Sequence, residues 1–265
     1  MKDRFLRQSF LGTESEKVFY NIKVGVVGLC GGGSPICQQL AHLGVRNYVL
    51  VDDDIADDTN LNRLIGVKHN HPKIMMPKVN ISEKLIKGIL PTAKITKFKT
   101  KWQMPEASLA LRGCSVIFGC VDSLIAREQL ERFCRRFMII YIDLGMDVHK
   151  FGDTHSVQGQ VCLSLPQDIC MRCMGVIYPD MLTKEAKLYG AAGGRPQVVW
   201  SNGMLASQAI QVFIQLITSW NGNLSGSGCW EYDGNHNTVS ISGRISLVAG
   251  KNCTHYNSYE TGDEF

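Results

Sequence analysis

Residues 23–33 read Lys-Val-Gly-Val-Val-Gly-Leu-Cys-Gly-Gly-Gly, and residues 47–52 read Asn-Tyr-Val-Leu-Val-Asp. The first stretch is a short apolar run ending in glycines, the pattern of a strand buried on both faces of a parallel sheet. Between the two, Ser34 to Gly44 predicts a helix with Pro35 in its first turn. The second stretch predicts another buried strand, ending on acids. Glycines between a first strand and a first helix let backbone N–H groups approach phosphates. A glycine cluster alone also fits a structural turn. Here Asp52 ends the next strand, 24 residues after Gly28, at the place of an acid that binds ribose hydroxyls. Loop and acid together point to a nucleotide, and leave NAD and ATP both open.

Further along, Pro77 to Leu90 predicts a helix with Val79, Leu85, Ile86 and Ile89 on its apolar face. Ala93 to Lys101 alternates like a strand near a sheet edge. Cys114 to Val121 predicts a buried strand, Ser123 can cap a helix carrying Leu130, Phe133 and Phe137, and Met138 to Leu144 predicts a fifth strand. This rhythm predicts an α/β fold with a doubly wound, mostly parallel, Rossmann-like sheet. After about residue 145 the pattern changes. Gln158 to Leu165 reads as an antiparallel strand, a loop holds Cys170 and Cys173, and an apolar helix runs from Ser201 to Trp220. A flexible turn over 222–228 and short strands to Ala249 follow. The expected organisation is an N-terminal segment over 1–22, a nucleotide-binding half over 23–146, and a completing, mixed or antiparallel half over 147–265 that shares the sheet.

With 265 residues, 45% hydrophobic and 20% charged, the chain can bury a full core, and wholesale disorder is excluded. A net charge of +4 is too mild to argue for nucleic acid. The start, Met1-Lys2-Asp3-Arg4, is charged and no apolar signal core follows it. No apolar run approaches the roughly 20 residues of a membrane span. Cys30, Cys37, Cys114, Cys120, Cys134 and Cys162 are scattered through apolar or helical stretches, as buried thiols are in a reducing compartment. A cytoplasmic protein is expected.

The segments after Asp52 narrow the choice of nucleotide. They are Val51-Asp-Asp-Asp-Ile55, Thr59-Asn60-Leu61-Asn62-Arg63, Pro77-Lys78 and Cys120-Val121-Asp122-Ser123. A dehydrogenase has no need for an Arg, a Lys and an Asp around the phosphates. A nucleotidyl-transfer site does: cations offset triphosphate charge and a carboxylate holds Mg²⁺. Singly, Arg63 or Lys78 reads as a solvated surface charge.

In this ordered set the chain resembles the ThiF/MoeB/HesA family, the adenylating domain of ubiquitin-activating-type enzymes. Arg4-Phe-Leu-Arg7-Gln8, Val121-Asp122-Ser123 leading to Arg127, Gly159-Gln160-Val161 and Cys170-Met-Arg-Cys173 also carry the likeness, which runs over roughly 4–220 with a fainter echo at Cys253. The resemblance implies that Asp52 holds the ATP ribose and that Asn60 and Arg63 contact the triphosphate. It further implies that Lys78 bridges the phosphates and Asp122 binds Mg²⁺. The glycine loop (Gly28, Cys30, Gly31, Gly32, Gly33), Asn62 and Ser123 complete the implied nucleotide-binding set. Arg7 would reach across a homodimer into the partner's site. The implied reaction is attack of the C-terminal carboxylate of a ubiquitin-like or sulfur-carrier protein with a glycine-rich tail on the α-phosphate, releasing pyrophosphate. The same chemistry on a tRNA base or a ribosomal peptide, or a non-catalytic partner subunit, are the alternatives.

Two departures stand out. Cys30 occupies a position where the family usually has glycine. The segment from Gly175 to Val199, where relatives often carry a nucleophilic cysteine, has none; the next is Cys229. Thr183, Tyr189 and Ser201 offer only hydroxyls, poor nucleophiles without a positioned base.

Cys170 and Cys173 have metal-ligand spacing, but one such pair is half of a zinc site. Two free thiols or a redox pair fit the spacing as well. Many family relatives bind structural Zn²⁺ with a second pair near the C-terminus. Here Lys251-Asn-Cys253-Thr-His255-Tyr256 offers Cys253, with Tyr256 where the other cysteine would stand, and His255 as a possible fourth ligand. His236, beside Asp233, is the alternative.

Overall fold

A computed structural model of the chain describes residues 2–187, 196–218, 220–222, 224–248 and 250–256. Tyr189 lies outside them. One sheet of eight strands has the order β3-β2-β1-β4-β5-β6-β7-β8. Strands β1 (Lys23–Val27), β2 (Asn47–Val51), β3 (Lys94–Phe98), β4 (Val116–Gly119) and β5 (Ile140–Phe151) run parallel to one another. Strands β6 (Thr154–Ser164), β7 (Gly228–Asp233) and β8 (Thr238–Ile241) continue the sheet antiparallel.

The apolar runs that mark β1, β2 and β4 follow from burial on both faces. On β1, Val24 and Val26 enter one core and Val27 the other, as the two-residue period requires. The first core lies against α1 (Ser15–Asn21), α2 (Gly33–Leu43), α3 (Lys78–Ile89) and α7 (Val199–Ile217), and the second against α4 (Pro105–Arg112) and α5 (Leu124–Arg136).

The sequence reading and the structure part company in a few places. The polar segment before β1 is helical: a 3-10 helix over Lys2–Leu11, then α1. It is held by tertiary contacts that no local pattern announces. Arg4 donates to the carbonyls of Ile89 and Ala41, Gln8 donates to that of Leu43, and Leu11 and Phe19 are buried. Strand β5 does not stop at Leu144. It runs to Phe151 and pairs with β6 through eleven registered positions, because the hairpin projects past the core and its outer residues need no apolar pattern. The boundary drawn at residue 146 therefore falls inside a strand of one continuous sheet. Helix α4, and α6 (Pro179–Lys187) within the segment from Gly175 to Val199, are further additions.

Candidate adenylation site

The carboxyl ends of β1, β2 and β4 open on a cavity of about 780 Å³ lined by Gly28, Cys30, Gly31, Gly32, Asp52, Lys78, Asp122 and Ser123, among others. Gly28 has φ +86°, and a Cβ there would run into the carbonyl of Cys120, so the chain can turn and pack this closely only with glycine. Helix α2 begins at Gly33, and Gly32 caps it without any side-chain hydrogen bond. An uncapped first turn with a positive dipole end favours an anion.

Asp52 is 8% exposed. It accepts the Leu29 N–H at 2.6 Å and the Asp54 N–H at 2.9 Å, which ties the glycine loop to the end of β2. Burial pushes the Asp52 carboxyl above the usual carboxylate value, against the pull of Lys78 and the two N–H groups. Lys78 opens α3, is 6% exposed, and donates from Nζ to Asp54 Oδ2 at 2.7 Å. Burial opposes its charge, yet Asp52 and Asp54 outweigh burial and raise the ammonium above the ordinary lysine value. A fixed cation thus stands beside the glycine loop. Ser123 is the N-cap of α5, its Oγ accepting the Ala126 N–H at 3.3 Å, and so sets Asp122 at the helix entrance. The Asp122 carboxylate is a hard oxygen donor of the type Mg²⁺ takes.

Other predicted residues are placed differently. Asn60 is 3% exposed and its side chain closes a capping box: Asp57 Oδ1 accepts the Asn60 N–H, and Asn60 Oδ1 accepts the Asp57 N–H. Its amide shapes the turn and is absent from the cavity wall. Asn62 and Arg63 stand outside that wall as well, joined by Arg63 Nη1 donating to Asn62 Oδ1 at 3.1 Å. Arg63 Nε is buried with no acceptor among the described residues, and the guanidinium is close enough to lower the Cys30 pKa. Burial nonetheless keeps that thiol above its usual value. Cys30 packs on the small apolar cluster of Ala56, Leu64 and Ile81, which gives its side chain a niche beside the loop. Arg7 is exposed on the 3-10 helix, whose Arg4 and Gln8 bind the last carbonyls of α2, at the end of that helix away from the glycine loop.

Two cavity residues, Gln197 and Asn202, carried no sequence signal. A Cβ on Gly31 would meet Asn202 Nδ2 at 2.5 Å and Gln197 Oε1 at 3.1 Å. Arg127, also in the wall, is buried against Asp143, its Nε 3.0 Å from both carboxylate oxygens, and Tyr141 donates to the same carboxylate at 2.8 Å. This satisfied network anchors the first turn of α5 to β5.

A second cluster is separate from the cavity. One ligand atom each from Cys170, Cys173, Cys253 and His255 lies within 4.8 Å of all the others. Cys170 and Cys173 Sγ are 3.7 Å apart, and His255 Nδ1 is 3.5 Å and 3.3 Å from them. A tetrahedral centre with Zn–S of about 2.3 Å sets S···S near 3.8 Å, so the set fits zinc. Tyr256 turns away, its hydroxyl 3.4 Å from Glu131 and its ring under Arg135. His236 is taken up by Asp233, at 2.8 Å in an exposed turn.

The ThiF family matches residues 3–254. The chain belongs to the ThiF family. This ThiF-family chain is 28% identical over 175 residues to the SAMP-activating enzyme E1 of Haloferax volcanii, covering 65% of this chain and 61% of that protein. It is 30% identical over 117 residues to the molybdopterin-synthase adenylyltransferase of Haemophilus influenzae, covering 44% and 47%. The chain therefore spans between about half and two thirds of the curated relatives it matches. Among solved structures, Escherichia coli MccB with MccA-N7isoASN aligns with a TM-score of 0.75 at 16% identity, over 91% of this chain and 71% of that one. PaaA aligns with a TM-score of 0.69 at 16% identity, over 91% and 82%. These likenesses show the fold: an α/β sheet, parallel and then antiparallel, shared with MccB. Among the described residues no helix is long and apolar enough to cross a membrane.

Proposed function

We propose that this chain is an ATP-dependent adenylyltransferase that activates the C-terminal carboxylate of a ubiquitin-like or sulfur-carrier protein. The observation that carries the reading is the joint presence of the uncapped glycine loop, Asp52, Lys78 and Asp122 on one cavity. The names of the relatives, activating enzyme and adenylyltransferase, support it. A carboxylate is already deprotonated, so the step needs no general base. Its oxygen attacks the α-phosphorus, the bond to the β-phosphate bridge breaks, and pyrophosphate leaves with the bonding electrons. The chain's work is positioning and charge stabilisation. The N–H groups of the loop and the Lys78 ammonium meet the triphosphate, Asp52 orients the ribose, and Arg63, just outside the cavity wall, keeps a buried Nε–H without an acceptor among the described residues. Mg²⁺, when bound through Asp122, supplies neutralisation of phosphate charge.

Arg7 cannot serve its own cavity from the far end of α2, which supports a homodimer in which it completes the partner's site. Zn²⁺ held by Cys170, Cys173, Cys253 and His255 would tie the chain's C-terminal part to the cysteine loop. About one tightly bound zinc per chain by elemental analysis is the expected result; freely titrating native thiols would contradict it. The ten free thiols support a cytoplasmic setting. The adenylate passes to an outside thiol or amine. Cys229 is buried on β7 against Cys162, Thr183 donates to the Pro179 carbonyl, and Ser201 is fully buried.

ATP–pyrophosphate exchange tests the reading, run with carriers ending in Gly-Gly and, separately, with short ribosomal peptides. Carrier-dependent exchange is expected. Exchange with peptides alone would move the substrate class to peptides, and no exchange with any carboxylate would refute adenylation.

A further inference from the structure

Gln197 precedes α7, outside every motif of the sequence, yet it holds the two charged corners of the candidate site together. Its Nε2 donates to Asp122 Oδ1 at 3.0 Å. Its backbone carbonyl accepts from Asn62 Nδ2 at 3.4 Å, and Asn62 Oδ1 in turn accepts from Arg63 Nη1 at 3.1 Å. Its Oε1 lies beside Gly31. A chain of hydrogen bonds therefore runs from the Arg63 guanidinium through Asn62 and Gln197 to the carboxylate assigned to the metal.

We propose that Gln197 is a positioning residue of the adenylation site: its carboxamide holds Asp122 in place before substrate arrives, and Mg-ATP displaces that hydrogen bond on binding. The inference rests on the adenylation reading above. Its physical basis is a conflict of charge. A carboxamide N–H carries partial positive charge and favours a bare carboxylate oxygen. A divalent cation on the same carboxylate repels that N–H, so the two compete for Asp122. Holding the carboxylate beforehand restricts its rotamers and couples it to Asn62 and Arg63 in the unloaded site. The same contact works against binding, because it must be given up.

Removal of the amide should therefore tighten Mg²⁺-dependent binding. For Gln197→Ala, Mg²⁺-dependent affinity for a non-hydrolysable ATP analogue, measured by calorimetry, should tighten by about 2- to 10-fold, the worth of one hydrogen bond. Affinity for the same analogue in EDTA should stay as in the wild type. In an Asp122→Asn background the substitution should leave Mg²⁺-dependent affinity unaltered, since the coupling runs through that carboxylate. A residue that merely supports the fold would weaken binding and turnover together, in both backgrounds, and that result would overturn the proposal. So would a wild-type protein that binds Mg²⁺ and analogue while Gln197→Ala binds them no tighter. Wild-type protein without any metal-dependent nucleotide binding would instead refute the adenylation reading itself.

Discussion

The two ends of α2 are finished in opposite ways. At its C-terminus the chain leaves through Gly44 at φ +94°, with Phe5 packed on that glycine, and Gln8 and Arg4 donate to the carbonyls of Leu43 and Ala41. The polar backbone is satisfied there by the protein itself. At the N-terminus Gly32 supplies no cap, the cavity begins, and Lys78 stands ready with its charge intact. A helix end closed by its own chain is structural. One left open beside a buried cation is built for an anion from outside.

The contrast breaks most sharply at the open end. Lys78→Ala and Asp122→Ala should each lower adenylation by about 10²–10³-fold, the usual loss when a group aimed at the transition state is removed. Pyrophosphate exchange reads the loss, and an unchanged circular dichroism spectrum shows that the fold survives. Near-normal exchange in both variants would show that the site is misassigned.

The closed end carries an exposed cation, Arg7, and the dimer proposal gives it catalytic work in trans. Arg7→Ala should cost tenfold or more in exchange by the same electrostatic argument while leaving stability within about 0.5 kcal/mol, as exposed substitutions do. Mixing it with Lys78→Ala chains should restore partial activity through one intact site per dimer. An active monomer in light scattering at micromolar concentration would contradict this. The smallest effect is expected from Gln8→Ala, which frees the Leu43 carbonyl. Stability in urea should drop by about 1 kcal/mol, and Mg-ATP affinity should not change.

How much of this was legible depends on which physical rule sets each feature. Strands β1, β2 and β4 read directly because burial on both faces forces unbroken apolar runs, and the glycine loop and Asp52 read from their place at strand ends. The cysteine pair read from its spacing, and the structure brings His255 rather than Tyr256 to it because Tyr256 has partners in Glu131 and Arg135. Asn60 stood at the expected spacing, yet local capping claimed its amide. The helices before β1 exist through contacts with α2 and α3 distant in sequence, and periodicity could not reveal them. Gln197 precedes α7 in a segment without a pattern, so only the folded chain shows it meeting Asp122.

In the proposed reaction a carboxylate oxygen of the carrier becomes bonded to the α-phosphorus. A carrier with ¹⁸O at both C-terminal carboxylate oxygens, chosen by the exchange assay and incubated with enzyme, Mg-ATP and an acceptor amine, follows that oxygen. When the amine displaces the nucleotide from the acyl carbon, the bridging oxygen leaves with the phosphorus. One ¹⁸O atom is expected in each AMP released, read by mass spectrometry. Unlabelled AMP, or label in inorganic phosphate alongside ADP, would contradict that reaction.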